Sequence, residues 1–206
     1  MFVGPERIRY SIHEGVLRQT STWFKDALDT ISADINGQRE LCETPKGITL
    51  ADEDPVIFRR FKDWLYTQKL CNGTETSKEL PWSAIFDIYT FAERRGIPKL
   101  QNACINVIIR KAKNGAPFPS QDMLNPLWKT TGKVSPLRLL LLELFAAKCD
   151  LKAVLVRNGG FHHRFLHDLV IILYEMKEGE LEEDPDFWKR RHKYYVSTPE
   201  NPVALD

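Results

Sequence analysis

The chain has 206 residues, 43% of them hydrophobic, and a formal net charge of +1, with a mass of 23.9 kDa and a sequence pI near 7.7. That length buries one moderate core, or one core with a dependent second lobe, and the near-neutral balance excludes a global field that would gather nucleic acid or acidic membrane. Four cysteines, Cys42, Cys71, Cys104 and Cys149, are widely spread with no CxxC spacing, which excludes a disulfide scaffold and a zinc finger and points to reduced thiols.

The opening "MFVGPERIRY" lacks the apolar run of a signal peptide, and "LRLLLLELFAA" and "FLHDLVIIL" are too short and too interrupted by charge to span a bilayer. The expected compartment is cytoplasm or nucleus, where "NGT" at 72–74 is a turn and not a glycosylation site. After Val3, "GPE" supplies a turn, and Ile8, Tyr10 and Ile12 alternate with Arg9 and Ser11, the period of a half-buried strand. "HEGVLRQ" and "STWFKDAL" read as short helical pieces, the second capped by Ser21. Residues 32–46 are polar and turn-rich, a loop before the short strand "GITL".

In "DEDPVIFRRFKDWLYT", Asp54 caps and Pro55 takes the first helical position, while Ile57, Phe58, Phe61, Trp64 and Leu65 recur on one face. A third helix, "PWSAIFDIYTFAERR", turns Trp82, Ile85, Phe86, Tyr89 and Ala92 to one side. Gly96 and Pro98 separate it from "KLQNACINVIIRKAK". "NGAPFPSQ" marks a boundary, dividing the chain into 1–115 and an all-helical extension, 116–206, with a disordered tail. Within the extension a short segment around 123–128 precedes 136–148, capped by Ser135, and then 163–176. "PLRLLLLELFAAK" is apolar on nearly every side, so it is sandwiched or forms an interface. No internal repeat is present.

The order of these signatures resembles the BTB/POZ domain, most closely its fungal-type members, over about residues 3–113. The residues that carry the resemblance are His13 and Leu17, the piece from Ser21 to Phe24, the acidic-Pro-Phe…"WLYT" helix, and the "A…R…GIPKLQNA" helix pair. The helices after Ser135 look like the family's carboxy-terminal extension. The resemblance implies an α+β fold, a small sheet flanked by helices, and a non-enzymatic role in protein–protein contact: pairing with itself or recruiting a partner, as scaffold or adaptor. Loops and helix ends flank the family's recruitment face, so the implied partner-binding residues are Ile31, Asp34 and Tyr66.

Two departures shape that expectation. The helix that many dimeric members carry before the first strand is absent, which counts against the family dimer. Ligase adaptors carry a hydrophobic-x-acidic motif, and the matching positions here are Ser32, Ala33 and Asp34, with serine in the apolar place. A substrate adaptor for a cullin-RING ubiquitin ligase is therefore the alternative reading, with its motif not intact.

Other patterns are weaker. His163 and His167 share a metal-compatible i, i+4 spacing, without a third ligand nearby in sequence. No nucleophile elbow, P-loop, dinucleotide fingerprint or HExxH is present, so neither an enzyme nor a cofactor is expected. "DFWKRRHKYY" interleaves Lys189, Arg190, Arg191 and Lys193 with Trp188, Tyr194 and Tyr195. That mix supports a second alternative, a nucleic-acid-associated nuclear regulator, although "EGELEEDPD" beside it would repel a polyanion. An amphipathic terminal helix whose aromatics pack on the domain is the simpler account.

Overall fold

The computed structural model describes residues 1–37, 47–71, 79–150, 152, 160–179 and 185–198, with 33–37 as backbone alone. The expected loop beyond Gly37, the "NGT" turn, Cys42, the acidic pair at 182–183 and the tail beyond Thr198 lie outside the described residues.

Three short strands, β1 (Phe2–Val3), β2 (Ile8–Arg9) and β3 (Thr49–Leu50), form a sheet in the order β2-β1-β3. β1 pairs antiparallel with β2, placing Val3 opposite Ile8, and parallel with β3, placing Val3 opposite Leu50. Gly4 makes the turn possible at φ +75°, and a side chain there would meet Pro55 Cγ at 2.8 Å. That close approach seats the hairpin on the start of the helix at Pro55. Tyr10, buried as expected, donates from its hydroxyl to the Pro55 carbonyl at 3.0 Å. Ile8 departs from the expected alternation and is 39% exposed. It lies on the edge strand, in a ladder only two residues long, so pairing aligns it with buried Val3 but leaves it at the rim.

Helices α1 (Glu14–Thr20) and α2 (Thr22–Gly37) follow. Ser21 caps α2: its hydroxyl accepts from Phe24 N–H at 3.3 Å and donates to the Arg95 carbonyl. The helix continues through 32–37, where a loop is the sequence expectation, because extending a nucleated helix adds a hydrogen bond for each residue fixed. Next comes α3 (Pro55–Thr67), with Asp54 Oδ1 accepting from Val56 N–H at 2.7 Å. Its expected apolar face is buried throughout, and it ends at Gln68 in the left-handed region, φ 56°.

α4 (Trp82–Arg94) and α5 (Pro98–Lys113) pair across Gly96. Ile88 and Phe91 are also fully buried, so α4 is covered on more than the one side its periodicity suggests. The reason is tertiary: α3, α5 and α6 (Gln121–Thr130) all pack on it. α7 (Pro136–Lys148) is sandwiched as its composition demands, with Leu137 and residues 140–145 buried. α8 (His163–Lys177) packs on α7 through Phe145 and Phe165, whose ring centroids lie 5.3 Å apart. Ser135 precedes α7 in the cap position, but its hydroxyl closes no cap bond. Buried apolar side chains form one connected cluster from Val3 to Tyr194. The molecule is an α+β arrangement, a small sheet with eight α-helices among the described residues. No described helix is long and apolar enough to cross a membrane.

Residues 185–198 are docked. Phe187 and Tyr194 are buried, and a 3₁₀ turn, Arg191–Tyr194, carries the segment over α5 and α7. Asn102 of α5 clamps Val196 from both sides, donating to its carbonyl at 2.9 Å and accepting from its N–H at 2.7 Å. Tyr195 donates to Asn106 at 2.6 Å. The basic-aromatic segment is thus largely absorbed as a strap, with one 3₁₀ turn where a terminal helix is the sequence expectation. Trp188 stays 37% exposed, with the guanidinium carbons of Arg191 and Arg110 at 5.0 and 5.9 Å from its ring centroid.

Candidate interaction surface

Tyr66, one of the expected partner residues, is 47% exposed at the end of α3. Its hydroxyl accepts from His13 N–H at 3.1 Å, and its ring meets the His13 ring edge-on at 6.2 Å. It therefore orients the start of α1 while keeping an exposed flank. Ile31 is half-buried against the core, an anchor for α2 rather than a free contact. The Asp34 side chain lies outside the described residues.

A second surface emerges around α7 and α8. The loop from Lys133 to Ser135, the first two turns of α7 and the first two turns of α8 line a cleft of about 800 Å³. Leu139 and Leu142 of α7 supply its apolar floor, and Val134, 95% exposed, stands at its rim. On α8, Arg164, His167 and Asp168 form the facing wall. Arg138, in the floor, is 3% exposed and committed inward, donating to Thr131 Oγ1 at 2.8 Å, the Thr131 carbonyl at 2.5 Å and the Trp128 carbonyl at 2.6 Å. Desolvation holds its pKa below the ordinary value, with Asp168 opposing that shift and Arg164 adding to it. Asp168 is committed too: its Oδ2 accepts from Trp128 Nε1 at 3.3 Å. Lys193, at the other side, bridges to Glu143 at 2.7 Å. The cations left facing the cleft without an ion-pair partner among the described residues are Lys133 and Arg164.

Beyond the cleft's lining, α8 carries exposed apolar side chains. Val170 is 64% exposed, Ile171 45% and Tyr174 62%, at i, i+1 and i+4. His163 and His167 sit on the same face one and two turns earlier. His163 stacks on His162, with ring centroids 4.6 Å apart, and His167 Nδ1 turns to Asp168 at 3.3 Å. His162 caps α8 by accepting from Arg164 N–H at 3.2 Å. Desolvation, followed by the charges of His163 and Lys129, lowers its pKa.

Sequence reasoning missed Lys133, Val134, Arg164, Val170, Ile171 and Tyr174. A signal was there to be read: the seven residues from Leu169 through Glu175 include six large apolar or aromatic side chains, more than one buried face of a helix absorbs. A separate cleft of about 450 Å³ is acidic, edged by Asp52, Asp54, Asp87 and Asp122. Burial pushes the Asp87 carboxyl up, and Asp54 adds to the shift. Comparison with known protein families, with curated proteins and with solved structures returns no match.

Proposed function

We propose that the chain is a non-enzymatic protein–protein interaction module of the BTB/POZ type, with a helical extension that carries the partner surface. What supports this reading is how the residues behind the resemblance, far apart in sequence, meet in one knot. Ser21 donates to the Arg95 carbonyl. The Arg95 guanidinium carbon lies 4.0 Å from the Trp23 ring centroid and its Nη2 donates to Glu53 at 2.8 Å. Arg94 takes the other Glu53 oxygen, also at 2.8 Å. Tyr66 holds His13, and the Ala92 carbonyl accepts from Ile97 N–H at 2.9 Å across the Gly96 turn. Each motif thus acts on another motif and builds scaffold. Exposed apolar surface outside that scaffold concentrates on α8, where a partner would cover it.

The cullin-adaptor alternative predicts binding to purified cullin that is lost when Ile31 and Asp34 are changed together. The nucleic-acid alternative predicts binding that falls steeply with salt and with charge reversal of Arg190 and Arg191. The reading itself is tested by affinity capture of the full chain, mass-spectrometric identification, and reconstitution with the purified candidate. A partner that rebinds in purified form supports it. Failure of every captured protein to rebind contradicts it.

A further inference from the structure

We propose that the groove between α7 and α8 receives an amphipathic helix of a partner protein, with acidic residues beside an aliphatic stripe. This rests on the interaction-module reading and names the chemistry of the partner.

Three observations converge on it. First, exposed apolar side chains cluster on α8. Val170, Ile171 and Tyr174 share one helical face, which begins about one turn beyond His167 and Asp168 of the cleft, and the cleft's α7 lining includes Leu139 and Leu142. Scattered exposed aliphatics are ordinary, but a stripe on one helical face marks a contact surface. Second, the charge is one-sided. Lys133 and Arg164 face the groove without ion-pair partners among the described residues, against a single lining carboxylate, Asp168, whose oxygens are engaged by Trp128 Nε1 and His167 Nδ1, so the balance is net positive. An acidic segment gains attraction and orientation there, whereas a basic one meets like charge. Third, α7 and α8 both line the groove, and Leu139 and Leu142 give it an apolar patch, which suits the apolar face of a helix anchored at i, i+3, i+4 and i+7. A nucleic-acid strand would leave that patch and the Ile171 stripe uncovered.

The test is a peptide-display selection on the full chain, using random peptides of roughly four helical turns. One enriched peptide is then synthesised and titrated against the parent chain and against Ile171→Ser and Arg164→Glu. Both substitutions fall at exposed positions, and circular dichroism checks that each variant keeps its fold. The expected result is enrichment of acidic peptides with aliphatic residues at helical spacing. Either variant should weaken binding about tenfold or more, and added salt should weaken the parent further. Enrichment of basic or uncharged peptides, or no enrichment, overturns the proposal. So does self-association of the chain that Ile171→Ser dissolves, since the occupant is then a second copy. Enriched peptides indifferent to both variants overturn the groove assignment while leaving the interaction-module reading intact. That reading fails only when captured partners do not rebind.

Discussion

The carboxylate of Glu143, 3% exposed in the middle of α7, accepts from the Tyr194 hydroxyl at 2.6 Å and from Lys193 Nζ at 2.7 Å. An isolated charge in an otherwise apolar helix would be costly, and the strap resolves that cost by bringing both donors to it. Tyr194→Phe leaves the carboxylate one donor short and should lower stability by about 1–3 kcal/mol, read from the urea unfolding midpoint. Hydrogen exchange should quicken around Val196 in the same variant, because the Asn102 clamp depends on the strap lying in place. An unchanged midpoint would mean that the strap contributes no stability.

Glu53 presents an asymmetric pair. It is 6% exposed, whereas its partners differ, Arg95 at 17% and Arg94 at 56% side-chain exposure. Removing the buried member strands Arg95 beside Trp23, so Glu53→Ala should cost about 2–4 kcal/mol. Arg94→Ala should cost less than about 1 kcal/mol, since the outer bridge is screened by solvent. Thermal unfolding of the two variants side by side tests the ordering, and equal losses would contradict it.

Alkaline pH should weaken the fold from two tyrosines. Burial pushes the Tyr89 hydroxyl up to about 12. Tyr194 is raised further, by burial and by the neighbouring Glu143 carboxylate. A free tyrosine releases its proton near pH 10, so above that value the unfolded chain holds fewer protons than the native one. Stability is therefore full below about pH 10 and falls as pH rises beyond it. The Tyr89 hydroxyl is buried beside Ser135, Gln101 and the Leu137 backbone. Tyr89→Phe removes the titrating group and should therefore flatten the alkaline decline. Urea midpoints measured on both sides of pH 10 decide it.

Thiol chemistry should be site-selective. Cys104 is fully buried in α5, and desolvation drives its pKa well above the ordinary thiol value. Cys149, half-buried, is raised as well, by burial and then by Asp150. A maleimide pulse on the native chain should leave Cys104 unlabelled, with labelling appearing only in denaturant. Native labelling of Cys104 would place it outside the core described above.

Much of the scaffold was legible because it rests on local rules. Asp54, Pro55 and the aromatic spacing define α3 before any packing is known, and Gly96 with Pro98 separates α4 from α5. Local rules failed where coverage is tertiary. The alternation at Ile8 holds in pairing, but no inference from spacing says that β2 is an edge. Ser135 stands in the cap position, but its buried hydroxyl closes no cap bond and lies beside Tyr89. Ile31 and Tyr66 follow from the resemblance alone; Ile31 packs on the core, and Tyr66, 47% exposed, also holds the start of α1. On α8, which of the consecutive apolar residues stays uncovered depends on where α7 and α6 lie. Lys133 and Arg164 become neighbours of that stripe only through the same packing.

The central claim is that this scaffold binds another protein through its helical extension. It is tested most directly by light scattering on the chain mixed with its reconstituted partner, parent beside Ile171→Ser. The account predicts a stoichiometric complex heavier than the 23.9 kDa chain, lost or strongly weakened in the variant. A complex of undiminished affinity in the variant, or a chain that stays alone with every candidate, would contradict it.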